Sequence, residues 1–276
     1  MKSILVAVDF SNCSVNALLH GAQLAFQAGA RVEMIWVNNP EKTRVNIEDD
    51  ASNELINEVI IQFKRLTDEL HAKFIGLKVD YIIRQGKVYK EVKLQAEESK
   101  SWLIVAGTHG ISGFEEFWMG SNAYRIVSTA PCPVITLRAG INVFELLNTI
   151  IFPVDSTSET REKVAPTIEL ARITGAKIIV LKLYSSSFKD IKNIVDAYAE
   201  QIVSFMEEEG IEVEINSIEA HNLTDATIDY ARKSNANLIA IMTEQEKTAT
   251  NILLGNYAQQ MVNHSPIPVL TVRPSY

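Results

Sequence analysis

The chain has 276 residues, with 34 Asp and Glu against 26 Lys and Arg, a formal net charge of −8 and 47% apolar content. The acidic balance exerts no long-range pull on a phosphate backbone, and no run of four Lys or Arg supplies a local basic patch, so nucleic acid and anionic membrane surfaces are poor partners. The length suits two domains of ordinary size, each able to bury its own core.

From the N-terminus, Ile4 to Val8 form an apolar run that ends at Asp9, too short for a signal-peptide core or a membrane span. A cytoplasmic protein is expected. Its two cysteines, Cys13 and Cys132, lie far apart in patterned segments and are expected to be reduced and inert. Short β-branched runs then alternate with amphipathic stretches: strands near 4–8, 32–37, 78–83, 102–106 and 133–137, and helices near 14–28, 51–72, 88–99 and 121–128. Such alternation implies right-handed crossovers and a mostly parallel sheet covered by helices on both faces.

The pattern then recurs. Ile4-Leu5-Val6-Ala7-Val8-Asp9-Phe10-Ser11 is echoed at an offset of 146 by Ile150-Ile151-Phe152-Pro153-Val154-Asp155-Ser156-Thr157. Ala130-Pro131-Cys132-Pro133-Val134-Ile135-Thr136-Leu137-Arg138 is echoed at an offset of 135 by Ser265-Pro266-Ile267-Pro268-Val269-Leu270-Thr271-Val272-Arg273. The second copy has strands near 150–154, 177–183, 211–218, 237–241 and 268–272, and the extra length of the first copy falls in a polar loop between Asn38 and Asn53. Two tandem doubly wound α/β domains follow, residues 1–140 and 146–276, joined near Ala139 to Asn148.

Chemistry concentrates after the fourth strand, where Gly107-Thr108-His109-Gly110 and Gly120-Ser121 make the spacing Gly-x2-Gly-x9-Gly-Ser. Gly107 and Gly110 can take positive φ and let the backbone approach a ligand, while Gly120-Ser121 opens a helix whose free N–H groups suit an anion. The arrangement describes a phosphate cradle; a strand stop followed by a helix cap is the alternative. Asp9 ends the first strand. If strands one and four are neighbours, it lines the same crevice and can accept from a ribose hydroxyl or hold a divalent cation; otherwise it is an N-cap for the helix near Ser14. Phe114, Phe117 and Trp118, between the glycines, suit a hydrophobic lid better than base stacking. The five histidines show no zinc spacing, and the Walker, dinucleotide-binding and hydrolase-elbow motifs do not occur.

The first strand with its aspartate, Trp36-Val37, Gln85-Gly86, the glycine spacing and Ala130-Pro131-Cys132-Pro133-Val134 together resemble the universal stress protein family, over essentially the whole chain as a tandem member. The resemblance implies five-stranded sheets of order 3-2-1-4-5 and bound ATP or another adenine nucleotide, with Mg where a cation accompanies it. The positions it assigns are Asp9, Val37, Gly86, Gly107, Gly110, Gly120 and Ser121, with the base against Val37 and Gly86 and any metal at Asp9. It also implies that final strands meet across a two-fold axis in single-domain members, so that here the two copies close on each other as an internal pseudo-dimer, leaving a homodimer to other surfaces. Where the family often has Pro, two residues after the third-strand Gly, this chain has Val88.

The second copy departs from the motif. By the offset of 135, Gly107 becomes Met242, Gly110 Gln245, Gly86 His221 and Ser121 Asn256, while Gly255 and Asp155 remain. Side chains of that size would fill the cradle, so one site per chain is expected. The leading reading is an ATP-binding stress or signalling protein; the alternatives are a slow Mg-dependent ATP hydrolase and a scaffold that binds no nucleotide. With no second carboxylate or obvious base accompanying Asp9 in the motif, an enzyme ranks below a binder; His109, inside the cradle, could touch phosphate or face solvent.

Overall fold

The computed structural model describes residues 1–39, 50–109, 120–138, 140, 146–243, 245–247 and 252–274. The loop expected between Asn38 and Asn53 falls largely outside them, as do Gly110, Phe114, Phe117 and Trp118.

The first half runs β1 (Ser3–Ala7), α1 (Asn12–Ala28), β2 (Arg31–Asn38), α2 (Asp50–Lys73), β3 (Val79–Gln85), α3 (Val88–Glu98), β4 (Leu103–Gly107), α4 (Ser121–Thr129) and β5 (Val134–Leu137). The second runs β6 (Thr149–Val154), a 3-10 turn at Ser158–Arg161, α5 (Val164–Thr174), β7 (Lys177–Tyr184), α6 (Lys189–Glu208), β8 (Val213–Glu219), α7 (Leu223–Lys233), β9 (Leu238–Met242), a hairpin of β10 (Gln245–Lys247) and β11 (Ile252–Leu254), α8 (Asn256–His264) and β12 (Val269–Val272). The strands match the expected runs to within two residues. The β10–β11 hairpin was not anticipated.

Helix α1 shows why the local sequence folds as it does. Ser11 caps it by accepting from the Ser14 N–H, and Ala17, Leu18, Gly21, Ala22, Leu24 and Ala25 bury one face at helical spacing. Central strands β1, β4 and β6 read as apolar runs because both faces are covered, whereas no residue of the outer strands β3 and β8 is fully buried.

Each half has the order 3-2-1-4-5, and the halves join into one ten-stranded sheet, β3-β2-β1-β4-β5-β12-β9-β6-β7-β8. The junction is antiparallel, with Val269 opposite Thr136, Leu270 opposite Ile135 and Thr271 opposite Val134; the other pairings of this sheet are parallel. One face carries a continuous core that crosses both halves, including Leu18, Phe63, Phe152, Ile168 and Val203. The other face carries two clusters. That of the first half contains Leu5, Val92, Ile104, Ile126 and Val127, and admits Leu254 from the second half. At the same junction Lys2 and Trp102 reach Glu169 on α5, with Lys2 Nζ and Trp102 Nε1 donating to its carboxylate at 2.6 and 2.7 Å.

Candidate functional site

The crevice lies at the carboxyl ends of β1 to β4, and β1 sits between β2 and β4, so Asp9, just after β1, and Gly107, the last residue of β4, stand at the ends of neighbouring strands (Ala7 is level with Ala106). This is the switch point where open α/β sheets take ligands. Val37 is half-buried near the end of β2, and Gly86 follows β3, tied to β2 by its N–H, which donates to the Asn38 carbonyl at 2.8 Å. Gly86 has φ +148°, a conformation that side chains rarely adopt, and a Cβ there would meet Glu91.

Gly107 corrects the expectation of positive φ: its backbone is ordinary, and its need for glycine is spatial. A Cβ would stand 2.8 Å from Cys13 Sγ and 3.1 Å from the Cys13 carbonyl carbon and oxygen, so the missing side chain is what lets the first turn of α1 close against the end of β4. Beyond it, Thr108 is buried and its N–H donates to the Leu137 carbonyl at 2.9 Å. The chain returns at Gly120, whose N–H donates to the Thr108 carbonyl at 2.7 Å. Gly120 is the N-cap of α4 and supplies no side-chain cap, and a Cβ would come within 3.3 Å of the Thr108 oxygen. The N–H groups of the first turn therefore begin beside the exit of β4, with exposed Ser121 as the first helical residue. His109 holds its Nδ1 at 2.8 Å from the Thr108 hydroxyl, while its Nε2 is buried without a partner. The Arg125 guanidinium lies over the Tyr89 ring.

Asp9 also has a local task. Its Oδ1 accepts from the Ser11 N–H at 3.1 Å and from the Ser11 hydroxyl, and Ser11, not Asp9, caps α1. Between them Phe10 has φ 63° and packs its ring edge-on to Phe63, 5.2 Å away. Asp155 holds Thr157 in the same way, at 2.9 Å from its N–H. The aspartate turn and the N-cap glycine, Gly120 and Gly255, are thus common to both halves, whereas Gly86, Gly107 and Gly110 are not.

In the second half, buried Met242 stands at the end of β9 where Gly107 stands in the first, and the cavity it lines with Asp155, Thr157, Lys163 and Tyr257 has a volume of about 10 Å³. That is room for about one water. Lys163, which the sequence reading did not single out, matches Ala17 by the offset of 146; its ammonium is buried, donates to the Thr160 carbonyl at 3.1 Å and hydroxyl at 3.0 Å, and lies over the Phe152 ring. Gln245 has moved into the β10–β11 hairpin, and His221 and Asn256 are exposed. Neither cysteine forms a disulfide: Cys13 donates to the Leu137 carbonyl, and burial pushes the Cys132 thiol up to about 12. Among the described residues no group of three or more His, Cys, Asp or Glu side chains is placed to hold a metal, and no helix is long and apolar enough to cross a membrane.

The Universal stress protein family model matches the chain twice, over residues 1–138 and 147–273. A universal stress protein of Methanocaldococcus jannaschii is 30% identical over 145 residues, covering 50% of this chain and 82% of its own length. One from Bacillus subtilis is 27% identical over 146 residues, covering 50% of this chain and 99% of its own length. The crystal structure of a universal stress protein from Archaeoglobus fulgidus shares the fold along 98% of both chains, with a TM-score of 0.77 at 18% identity. With a match in each half, the chain belongs to the universal stress protein family, as a tandem two-domain member.

Proposed function

We propose that the first half, residues 1–140, binds one adenine nucleotide in the crevice at the carboxyl ends of β1 to β4, and that the second, residues 146–276, is a degenerate partner. The observation that carries this reading is the return of Gly120 onto the Thr108 carbonyl, which sets the uncapped N-terminus of α4 beside Gly107. Free N–H groups and a positive dipole end suit a phosphate. The residues present fit the group: Gly120 and Ser121 open the helix, Gly107 lets α1 close on the end of β4 beside it, Gly110 belongs to the same spacing, and Val37 and Gly86 offer backbone to the base.

Asp9 would meet a ribose hydroxyl or a Mg ion carried by the phosphates; the nucleotide supplies the phosphate charge that such an ion needs. We read the protein as a binder, since no second carboxylate accompanies Asp9 in the motif and His109, its one imidazole, is held against the Thr108 hydroxyl. The antiparallel β5–β12 junction supports an internal pseudo-dimer, through which occupancy would change shape or partners. Calorimetric titration of the full chain with ATP tests the reading. Saturable binding that is lost in Gly110→Val, without a change in melting, is expected; no binding by the unaltered chain, or undiminished binding by the variant, overturns the cradle.

A further inference from the structure

Helix α4 is only nine residues long, Ser121–Thr129, and its N-cap offers no side chain to hold it. A helix that short does not persist on its own and takes its position from what packs on it. Part of that packing comes from the other half of the molecule. The β10–β11 hairpin reaches across, so that Leu254 is 5% exposed and lies in the cluster of Val92, Ile126 and Val127. The Leu254 N–H donates to Tyr124 Oη at 3.0 Å, one turn from the start of the helix. At the other end, Arg273 follows β12 and its Nη1 donates at 2.9 Å to the carbonyl of Ala130, the C-cap of α4. A cation there satisfies an orphan carbonyl and complements the helix dipole. Arg273 is held in place at a cost, since its Nε is buried without a partner and burial weakens its hold on the proton.

We infer that the second half sets the nucleotide affinity of the first by gripping α4 at both ends, with Leu254 and Arg273 as positioning residues for the phosphate-facing N–H groups. This rests on the reading of the crevice given above. Each acts through the helix, Leu254 at Tyr124 and Arg273 at Ala130. A small shift of α4 would move every N–H group of its first turn together, and anion binding at a helix terminus falls off within that turn.

The test is calorimetric titration of the full chain with ATP at 25 °C, with melting curves to establish that each variant is folded at that temperature. Arg273→Met, which removes the hydrogen bond to the Ala130 carbonyl, and Leu254→Ala, which keeps the backbone N–H but removes the side chain that packs in the cluster of Ile126 and Val127, should each weaken binding about three- to tenfold. Leu254→Met and Arg273→Lys should restore it to within about twofold of the unaltered chain, because they keep the apolar volume and the cation. A purely structural role would lower the melting temperature and leave the affinity of the folded protein unchanged, and that result overturns the inference. Should Leu254→Ala fail to fold, the Arg273 pair decides. A full chain that binds no ATP overturns the crevice reading and this inference together, whereas binding that ignores all four substitutions overturns this inference alone.

Discussion

Thr136 and Thr271 exchange hydrogen bonds across the junction of the two halves: the Thr271 hydroxyl donates to the Val134 carbonyl at 3.0 Å, and the Thr136 hydroxyl to the Val269 carbonyl at 3.4 Å. The two threonines are repeat equivalents, and both are buried. Thr271→Val keeps the shape and removes the better donor. It should cost about 1 kcal/mol, or about 2–4 °C in melting temperature, while Thr136→Val should cost about half as much. No loss from either substitution in thermal denaturation would show that the hydroxyls do not contribute to the seam, and equal losses would show that the shorter bond is not the stronger.

Separating the halves should uncover β5. Its edge pairs with β12 in the intact chain, and Val134, Ile135 and Leu137 are apolar and buried. An open apolar edge invites pairing with another chain. Residues 1–140 expressed alone are expected to dimerise or aggregate in light scattering, and a stable soluble monomer would count decisively against the seam as the place where the edge is closed.

Nucleotide stoichiometry should be one per chain. In the second half the space beside Met242 and Lys163 is about 10 Å³, far below the several hundred that a ligand of this size occupies. Titration to saturation reads the number directly, and two equivalents of similar affinity would mean that this crevice opens in solution.

The contact between the halves should weaken in acid. Burial of Glu169 raises its pKa, but hydrogen bonds from Lys2 and Trp102 outweigh it and hold the carboxyl below its ordinary 4.5. A carboxylate depressed in the folded state contributes its stability fully above the ordinary value and loses it as pH falls through the lowered one. The carboxylate is partly exposed, so the contribution is at most about 1 kcal/mol. Glu169→Gln should flatten this part of the stability profile below about pH 4.5; an unchanged acid limb in denaturant titrations at several pH values would assign the loss to other groups.

The strands were legible because buried parallel strands leave unbroken runs such as Leu103 to Ala106, and because the repeat supplied each run twice; their order followed from the family resemblance and not from the runs themselves. The aspartate turn was legible as a position but not as a geometry: whether Asp9 or Ser11 caps α1 depends on one backbone angle at Phe10, which composition does not encode. Gly107 stood out by spacing, yet its contact with Cys13 exists only once α1 lies on β4. The hairpin was hidden by the alignment of the copies, which assigned its residues to the loop of the first copy. Its signal was the apolar triplet Ile252-Leu253-Leu254, and nothing local told that Leu254 would enter the core of the other half.

Because β5 and β12 run in opposite directions, the strands of the two halves do too. Their carboxyl ends lie at opposite margins of the sheet, and the two crevices look away from each other. A ligand in one could never touch the contents of the other, so the second crevice was free to close around Met242 and Lys163 without steric consequence for the first. Helix α4 runs from one margin to the other, starting at the glycines and ending at Ala130, where Arg273 waits. Its first turn and its C-cap thus stand at opposite margins of one sheet, each held within reach of a different half of the duplication.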